Sequence, residues 1–246
     1  MYHSRVIGVV SGKGGSGKTT TAVNMGVAYA LLGKDVTLVD ANLHNPNVGL
    51  HLGAPQVPIH LNHVLAGKNH MHDAVYQHKS GLKVVPASLQ VADRAVSLQG
   101  FRSQVKQLLT DTIIVDTSSG FYQENVHALQ ALDEALVVTQ PEWPALTDAL
   151  KSLQVLRSLK VPCRGVVVTK SGSQDDVPVE SMEQFLQSKV IAAIPFDAGV
   201  RESLRKKESL VFMNPQSPAA DAYVRLAARL TGVSFPVSQK KFLGLF

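Results

Sequence analysis

Residues Arg5–Val10 form a short β-branched run, and Gly12-Lys13-Gly14-Gly15-Ser16-Gly17-Lys18-Thr19 follows almost at once. The next stretch, Thr19–Leu32, is alanine-rich, with apolar residues at helical spacing (Ala22, Met25, Ala28, Tyr29, Leu32) and Gly33 as its C-cap. A strand, a glycine-rich loop and a helix in this order leave little choice of fold. The glycines let consecutive backbone N–H groups turn inward, and the helix start adds the positive end of its dipole, which makes a cradle for phosphate oxygens. The run matches G-x-x-x-x-G-K-[S/T] in the strand-to-helix context that gives this motif its meaning. In such a loop Lys18 reaches the β and γ phosphates and the Thr19 hydroxyl ligates magnesium, with Thr20 beside it at the nucleotide.

Strands and helices alternate along the rest of the chain. Further strand-like runs are Val36–Val39, Lys83–Val85, Thr112–Val115, Ala135–Thr139, Gly165–Thr169 and Val190–Ile194, and helices are expected over Ser97–Leu109, Trp143–Leu159, Val179–Ser188 and Pro218–Leu230. Strands that read as solid apolar runs are buried on both faces, so the expected fold is a single-domain α/β P-loop fold. Its sheet is mostly parallel and doubly wound, with helices on both faces. With 45% hydrophobic and 17% charged residues, the 246-residue chain has ample material for a core, which excludes disorder. The single cysteine, Cys163, excludes an intramolecular disulfide framework and is expected to be an ordinary buried residue. No run approaches the about 20 apolar residues of a membrane span, and no signal peptide is visible at the N-terminus, so a cytoplasmic protein is expected.

The second lysine, Lys13, narrows the reading further. A loop of the form Lys-Gly-Gly-x-Gly-Lys-Thr resembles that of the MinD/ParA family of deviant Walker-A ATPases, and the resemblance extends over nearly the whole chain. It implies ATP and Mg2+ as ligands and a homodimer in the ATP state, with Lys13 crossing to the partner's nucleotide. A cation supplied across an interface stabilises phosphate charge only once two subunits meet. The resemblance further implies that Asp40, in Leu38-Val39-Asp40-Ala41-Asn42, sits near magnesium. Asn42 stands where the family has an aspartate that orients the attacking water; an amide still holds a water but accepts no proton, so slow hydrolysis is expected. Thr112-Ile113-Ile114-Val115-Asp116 resembles a Walker-B strand with Asp116 toward magnesium, and Gly120 in the following turn is expected to free the γ-phosphate loop. Thr169 and Lys170 stand where the family has Asn-Lys or Asn-Arg, the asparagine contacting adenine, and Pro195, Phe196 and Asp197 resemble its base-pocket segment; for the last two a plain strand end is the competing reading. Iron–sulfur relatives that share the loop need paired cysteines, which one cysteine cannot provide.

The net charge of +5 lies entirely in the C-terminal fifth: residues 201–246 carry 8 Lys/Arg against Glu202, Glu208 and Asp221. The chain divides into an ATPase domain, 1–235, and a tail, 236–246, that ends Lys240-Lys241-Phe242-Leu243-Gly244-Leu245-Phe246. As a helix this tail puts Phe242, Leu245 and Phe246 on one face, with Leu243 flanking, and it resembles the membrane-targeting tail of the MinD branch. Each buried apolar side chain contributes at most about 3 kcal/mol and each lysine near anionic lipid about 1 kcal/mol. Ordering costs about 1 kcal/mol or more per residue, so one tail binds weakly. Two tails on one dimer gain avidity of about 10²–10⁴. The competing reading folds the tail back onto its own core.

Seven of the 9 histidines lie between His44 and His78. His60-x-x-His63 and His70-x-His72 could in principle bind a metal, but no matching carboxylate or cysteine spacing accompanies them, so a polar loop region is expected there. His44, beside Asn42, has the position of a switch-loop residue. The favoured expectation is a MinD-like positioning ATPase, reversibly bound to the inner face of the cell membrane and stimulated by a protein partner, positioning a structure such as the division site. The rivals are a ParA-type ATPase binding DNA non-specifically through Arg201, Arg205, Lys206, Lys207, Arg225 and Arg229, which the aromatic tail disfavours, and a nucleotide-gated scaffold with negligible hydrolysis, suggested by Asn42.

Overall fold

The computed structural model describes residues 4–94, 96–120 and 123–234. The tail read from Lys240 to Phe246, and the division of the chain at 235/236, lie outside them. The strands are β1 (Arg5–Val10), β2 (Val36–Asp40), β3 (Tyr76–Gln77), β4 (Lys83–Val85), β5 (Thr112–Asp116), β6 (Glu134–Thr139), β7 (Cys163–Ser171) and β8 (Val190–Pro195). The helices are α1 (Lys18–Leu31), α2 (Val48–His51), α3 (Leu61–Leu65), α4 (Phe101–Val105), α5 (Gln123–Gln130), α6 (Trp143–Ser158), α7 (Val179–Leu186), α8 (Gly199–Lys206), α9 (Leu210–Met213) and α10 (Pro218–Thr231). The strands form one sheet in the order β3-β4-β2-β5-β1-β6-β7-β8, parallel except for the β3 edge strand. This is the doubly wound α/β fold that the sequence leads one to expect.

The side chains of each central strand alternate between two apolar layers. Val6 and Val10 of β1, Ile113 and Val115 of β5 and Ala135 and Val137 of β6 face the layer containing α4, α6 and α7. Ile7, Val9, Ile114, Leu136 and Val138 face α1, α9 and α10. Both faces are covered, which is why these strands carry no polar alternation. Helix α1 is apolar almost all round because it lies between the sheet and α10; Gly26 gives it a close approach, since a Cβ there would stand 3.2 Å from Leu82. Helix α10 starts at an N-cap, Ser217, whose hydroxyl accepts from the Ala220 N–H, and stops at Gly232 in the left-handed region.

Three local features depart from the sequence reading. The helix expected over Ser97–Leu109 reduces to α4, because Gly100 takes a left-handed conformation (φ 76°) directly before it. Cys163 is partly buried at the start of β7, not fully buried, and burial raises its thiol pKa. The short helices α2, α3, α8 and α9 and the edge strand β3 are shorter than the window over which periodicity becomes visible.

The architecture puts the topological reversal at β1, flanked by β5 on one side and β6 on the other, so that loops at the carboxyl ends of β1, β2 and β5 open into one crevice. Its rigidity rests on the fully buried central strands. Ile114→Ala, which deletes a side chain with no exposed area, should destabilise the chain by about 2–5 kcal/mol. A urea melt checks this, with a lower midpoint and an unchanged slope as the expected result.

Candidate functional site

A cleft of about 550 Å³ lies over the loop between β1 and α1, within the usual range for a small-molecule site. Its floor is Lys13–Thr20. One wall is the segment after β2, with Asn42, Asn47 and His51. The other is built from the ends of β7 and β8, with Thr169, Lys170, Pro195, Phe196 and Asp197.

The loop's shape is imposed from several directions. Gly15 and Gly17 have φ of 76° and 89°, a region that side chains with a Cβ rarely enter. Gly12 is needed for a different reason, since a Cβ there would stand 2.5 Å from the Asp148 carbonyl of α6. Gly14 and Gly15 leave their Cβ positions open. The carbonyls of the loop are held from outside: Thr169 Oγ1 donates to Ser16 O at 2.6 Å, and Gln140 Nε2 and Lys170 Nζ donate to Gly15 O at 2.8 and 3.1 Å. Carbonyls anchored in this way leave the opposed N–H groups for the cleft. The buried Ser16 hydroxyl has no partner among the described residues. The first turn of α1 carries no acid, so its dipole favours an anion.

Charge is concentrated at the carboxyl ends of β2 and β5. Asp40 and Asp116 are register partners on adjacent strands and both are fully buried. Lys18 Nζ lies 2.9 Å from Asp116 Oδ1, and the Thr19 hydroxyl donates to Asp116 Oδ2 at 2.6 Å. Asp40 accepts three backbone hydrogen bonds, from Asn42 N (3.1 Å), Asn47 N (3.0 Å) and Val48 N (3.0 Å). Burial, and then the neighbouring Asp116 carboxylate, nonetheless raise the Asp40 pKa to about 7. Two buried carboxylates facing one buried ammonium attract a further hard cation, and a hydroxyl with two carboxylates is an oxygen donor set suited to Mg2+. The glycine cradle, the orphaned Ser16 hydroxyl and this donor set fit a magnesium nucleotide.

Asn42 lines the cleft, and its amide is also tied to its own loop. Nδ2 donates to Asn45 O at 2.7 Å, while Oδ1 accepts from Asn45 N and from Ser118 Oγ at 3.3 and 3.0 Å. Gly120, expected to loosen the turn after β5, has a left-handed φ of 83° and is pinned there by Asn125 Nδ2, which donates to Ser118 O and Gly120 O. Lys13 stands at the cleft's lip, where its Nζ pairs with Glu142 Oε1 at 3.4 Å, both side chains about half exposed. His44 is exposed.

On the far wall, the Thr169 hydroxyl is directed at the Ser16 and Thr139 carbonyls, so this residue braces the loop. Phe196 is exposed at the mouth. Asp197 caps the next element, accepting from Gly199 N at 2.8 Å and Ala219 N at 3.4 Å, which is the strand-end role weighed against a base contact. The sequence reading missed Gln140 and Glu142, which reach the loop only because β6 lies beside β1. It also missed His51, whose imidazole pKa is lowered by burial, and Asn47, whose N–H holds Asp40. The run Asn42, Asn45, Asn47 was the one signal in the sequence for this last group.

The ParA family profile, described as a NUBPL iron-transfer P-loop NTPase, matches residues 3–231. An uncharacterised ATP-binding protein of Methanocaldococcus jannaschii is 34% identical over 96% of this chain and 90% of its own. The cell-division ATPase MinD of Pyrococcus furiosus superposes with a TM-score of 0.90 at 32% identity, covering 94% of this chain and 100% of that one. MinD of Pyrococcus horikoshii, solved with Mg-ADP, gives 0.89 at 31% identity over 93% and 96% of the two chains. Cys163, the sole cysteine, provides no paired thiolates for a cluster. Sequence, sheet order and phosphate loop agree: the chain belongs to the MinD/ParA family of P-loop NTPases.

Proposed function

We propose that this chain is a MinD-like ATPase that binds Mg-ATP, dimerises across the nucleotide and resides on a membrane only as that dimer. ATP supplies the scissile phosphoanhydride, and Mg2+ supplies neutralising charge on its phosphates. Lys18 and Thr19 both turn to Asp116; in the proposed cycle Lys18 moves to the phosphates and Thr19 shares the metal with Asp40 and Asp116. Inward N–H groups from Gly14 to Lys18 hold the phosphate oxygens, and Lys170, Thr169, Pro195 and Phe196 border the base. Phosphoryl transfer depends chiefly on such positioning and electrostatics.

The observation that carries the reading is Lys13. Its ammonium stands at the rim, about half exposed, and its ion-pair partner among the described residues is the half-exposed Glu142 carboxylate at 3.4 Å. A pair of this kind contributes little, about 0–1 kcal/mol, so Lys13 exchanges Glu142 for a stronger anion at small cost. A triphosphate held by a second copy of the chain is such an anion. Dimerisation then couples to the tail, because two weak lipid anchors held together bind far better than one.

Three outcomes test this scheme. Light scattering should give twice the monomer mass with a non-hydrolysable ATP analogue and the monomer mass with ADP, and Lys13→Ala should remain monomeric with both; equal masses in the parent reject the scheme. Asn42→Asp should raise turnover, up to about 100-fold if the carboxylate acts as a base, read as phosphate released per subunit. A rate no faster than the parent removes Asn42 from the hydrolytic role. Deleting residues 238–246 should abolish ATP-dependent sedimentation with anionic vesicles while leaving nucleotide binding intact, and a salt-sensitive duplex shift without vesicle binding would point to DNA instead.

A further inference from the structure

His60 and His63 do not line the nucleotide cleft, yet the fold assembles them with a distant carboxylate. His60 is the N-cap of α3 and His63 lies on its first turn, so their rings fall on one helix face. They stack at 3.8 Å with an interplanar angle of 19°. Asp93, thirty residues later on the 3₁₀ turn Val91–Arg94, closes over them, with its Oδ2 3.4 Å from His60 Nε2. One nitrogen of each ring and one carboxylate oxygen all lie within 4.8 Å of one another. His60 is buried, and the buried Nδ1 atoms of both rings have no partner among the described residues. The His60–Asp93 contact runs through His60 Nε2 and satisfies neither Nδ1, and sealed polar atoms left unsatisfied are costly.

We propose that His60, His63 and Asp93 bind a first-row divalent transition-metal ion, with Zn2+ the best match. Two imidazoles and one carboxylate form the three-ligand set of an open tetrahedral zinc site, whose fourth position takes water. Imidazole nitrogen disfavours Mg2+ and Ca2+, so this site and the nucleotide cleft select different ions. Ligands about 2.0–2.1 Å from zinc stand about 3.4 Å apart, so the His60–Asp93 separation already fits, and His63 has to turn out of its stack with His60 to bring a nitrogen to the ion. The outer partners are in place. Ser88 Oγ donates to Asp93 Oδ2 at 2.6 Å, and Asn62 clasps the same turn, donating to Asp93 O at 2.8 Å and accepting from Ser88 N at 2.9 Å. Such partners orient metal ligands and raise their affinity. The bound ion would fasten the connection between β2 and α3 to the segment after β4. This inference does not depend on the nucleotide reading.

Equilibrium dialysis of the tag-free full chain against ZnCl2, in excess Mg2+, should give one zinc per chain. Co2+ in its place should show the intense visible bands of a tetrahedral site. His63→Ala and Asp93→Asn should each lose the bound ion and the cobalt bands, and Ser88→Ala should weaken binding by about 10-fold. Zinc should raise the thermal midpoint of the parent and not of Asp93→Asn, a partly exposed site at which folding is expected to survive. His70→Ala/His72→Ala, in the neighbouring exposed pair, should leave the stoichiometry unchanged. No bound zinc in the parent, or zinc retained by both His63→Ala and Asp93→Asn and lost from the His70/His72 variant, overturns the proposal.

Discussion

A buried ammonium beside two buried carboxylates governs the rest of this structure. Lys18, Asp40 and Asp116 lie almost wholly out of water at the carboxyl ends of β1, β2 and β5. Removing charges from water costs several kcal/mol per ion unless geometry and further hydrogen bonds compensate. Compensation here comes from the Lys18–Asp116 contact, the Thr19 hydroxyl and the three backbone N–H groups that converge on Asp40. The cluster still holds one more carboxylate than it has cations, and burial, followed by the neighbouring Asp116 carboxylate, raises the Asp40 pKa. A centre with this charge balance is suited to taking up a further hard cation.

The segments around this centre are arranged to respond to it. The turn after β2 is bound to Asp40 through Asn47 and Val48 and to the turn after β5 through Asn42 and Ser118. A change at either carboxylate therefore reaches both turns. On the opposite wall, Thr169, Gln140 and Lys170 hold the phosphate loop by its carbonyls. Lys13 belongs to neither group: it lies outside the buried cluster, at the rim, in a half-exposed ion pair with Glu142.

The histidine cluster illustrates how far local spacing informs a site. His60 and His63 announced a possible ligand pair by their spacing, but the third group came from Asp93. Its approach depends on Asn62 and Ser88 drawing the segment after β4 against α3. No window of sequence contains all three residues.

By itself the sequence determined the phosphate loop, the alternation of buried strands and helices, and the acids at the ends of β2 and β5, because those features depend on residue type within a few positions: glycine for positive φ, unbroken apolar runs for strands covered on both faces, an acid where a buried strand ends. Tertiary structure alone decided that Asp40 and Asp116 become register partners, that Gln140 and Glu142 reach the loop from β6, that Thr169 braces Ser16, and that Asp93 joins the histidines. Each of these is set by strand order and crossover path, and the resulting contacts link residues whose separation along the chain carries no periodic signal.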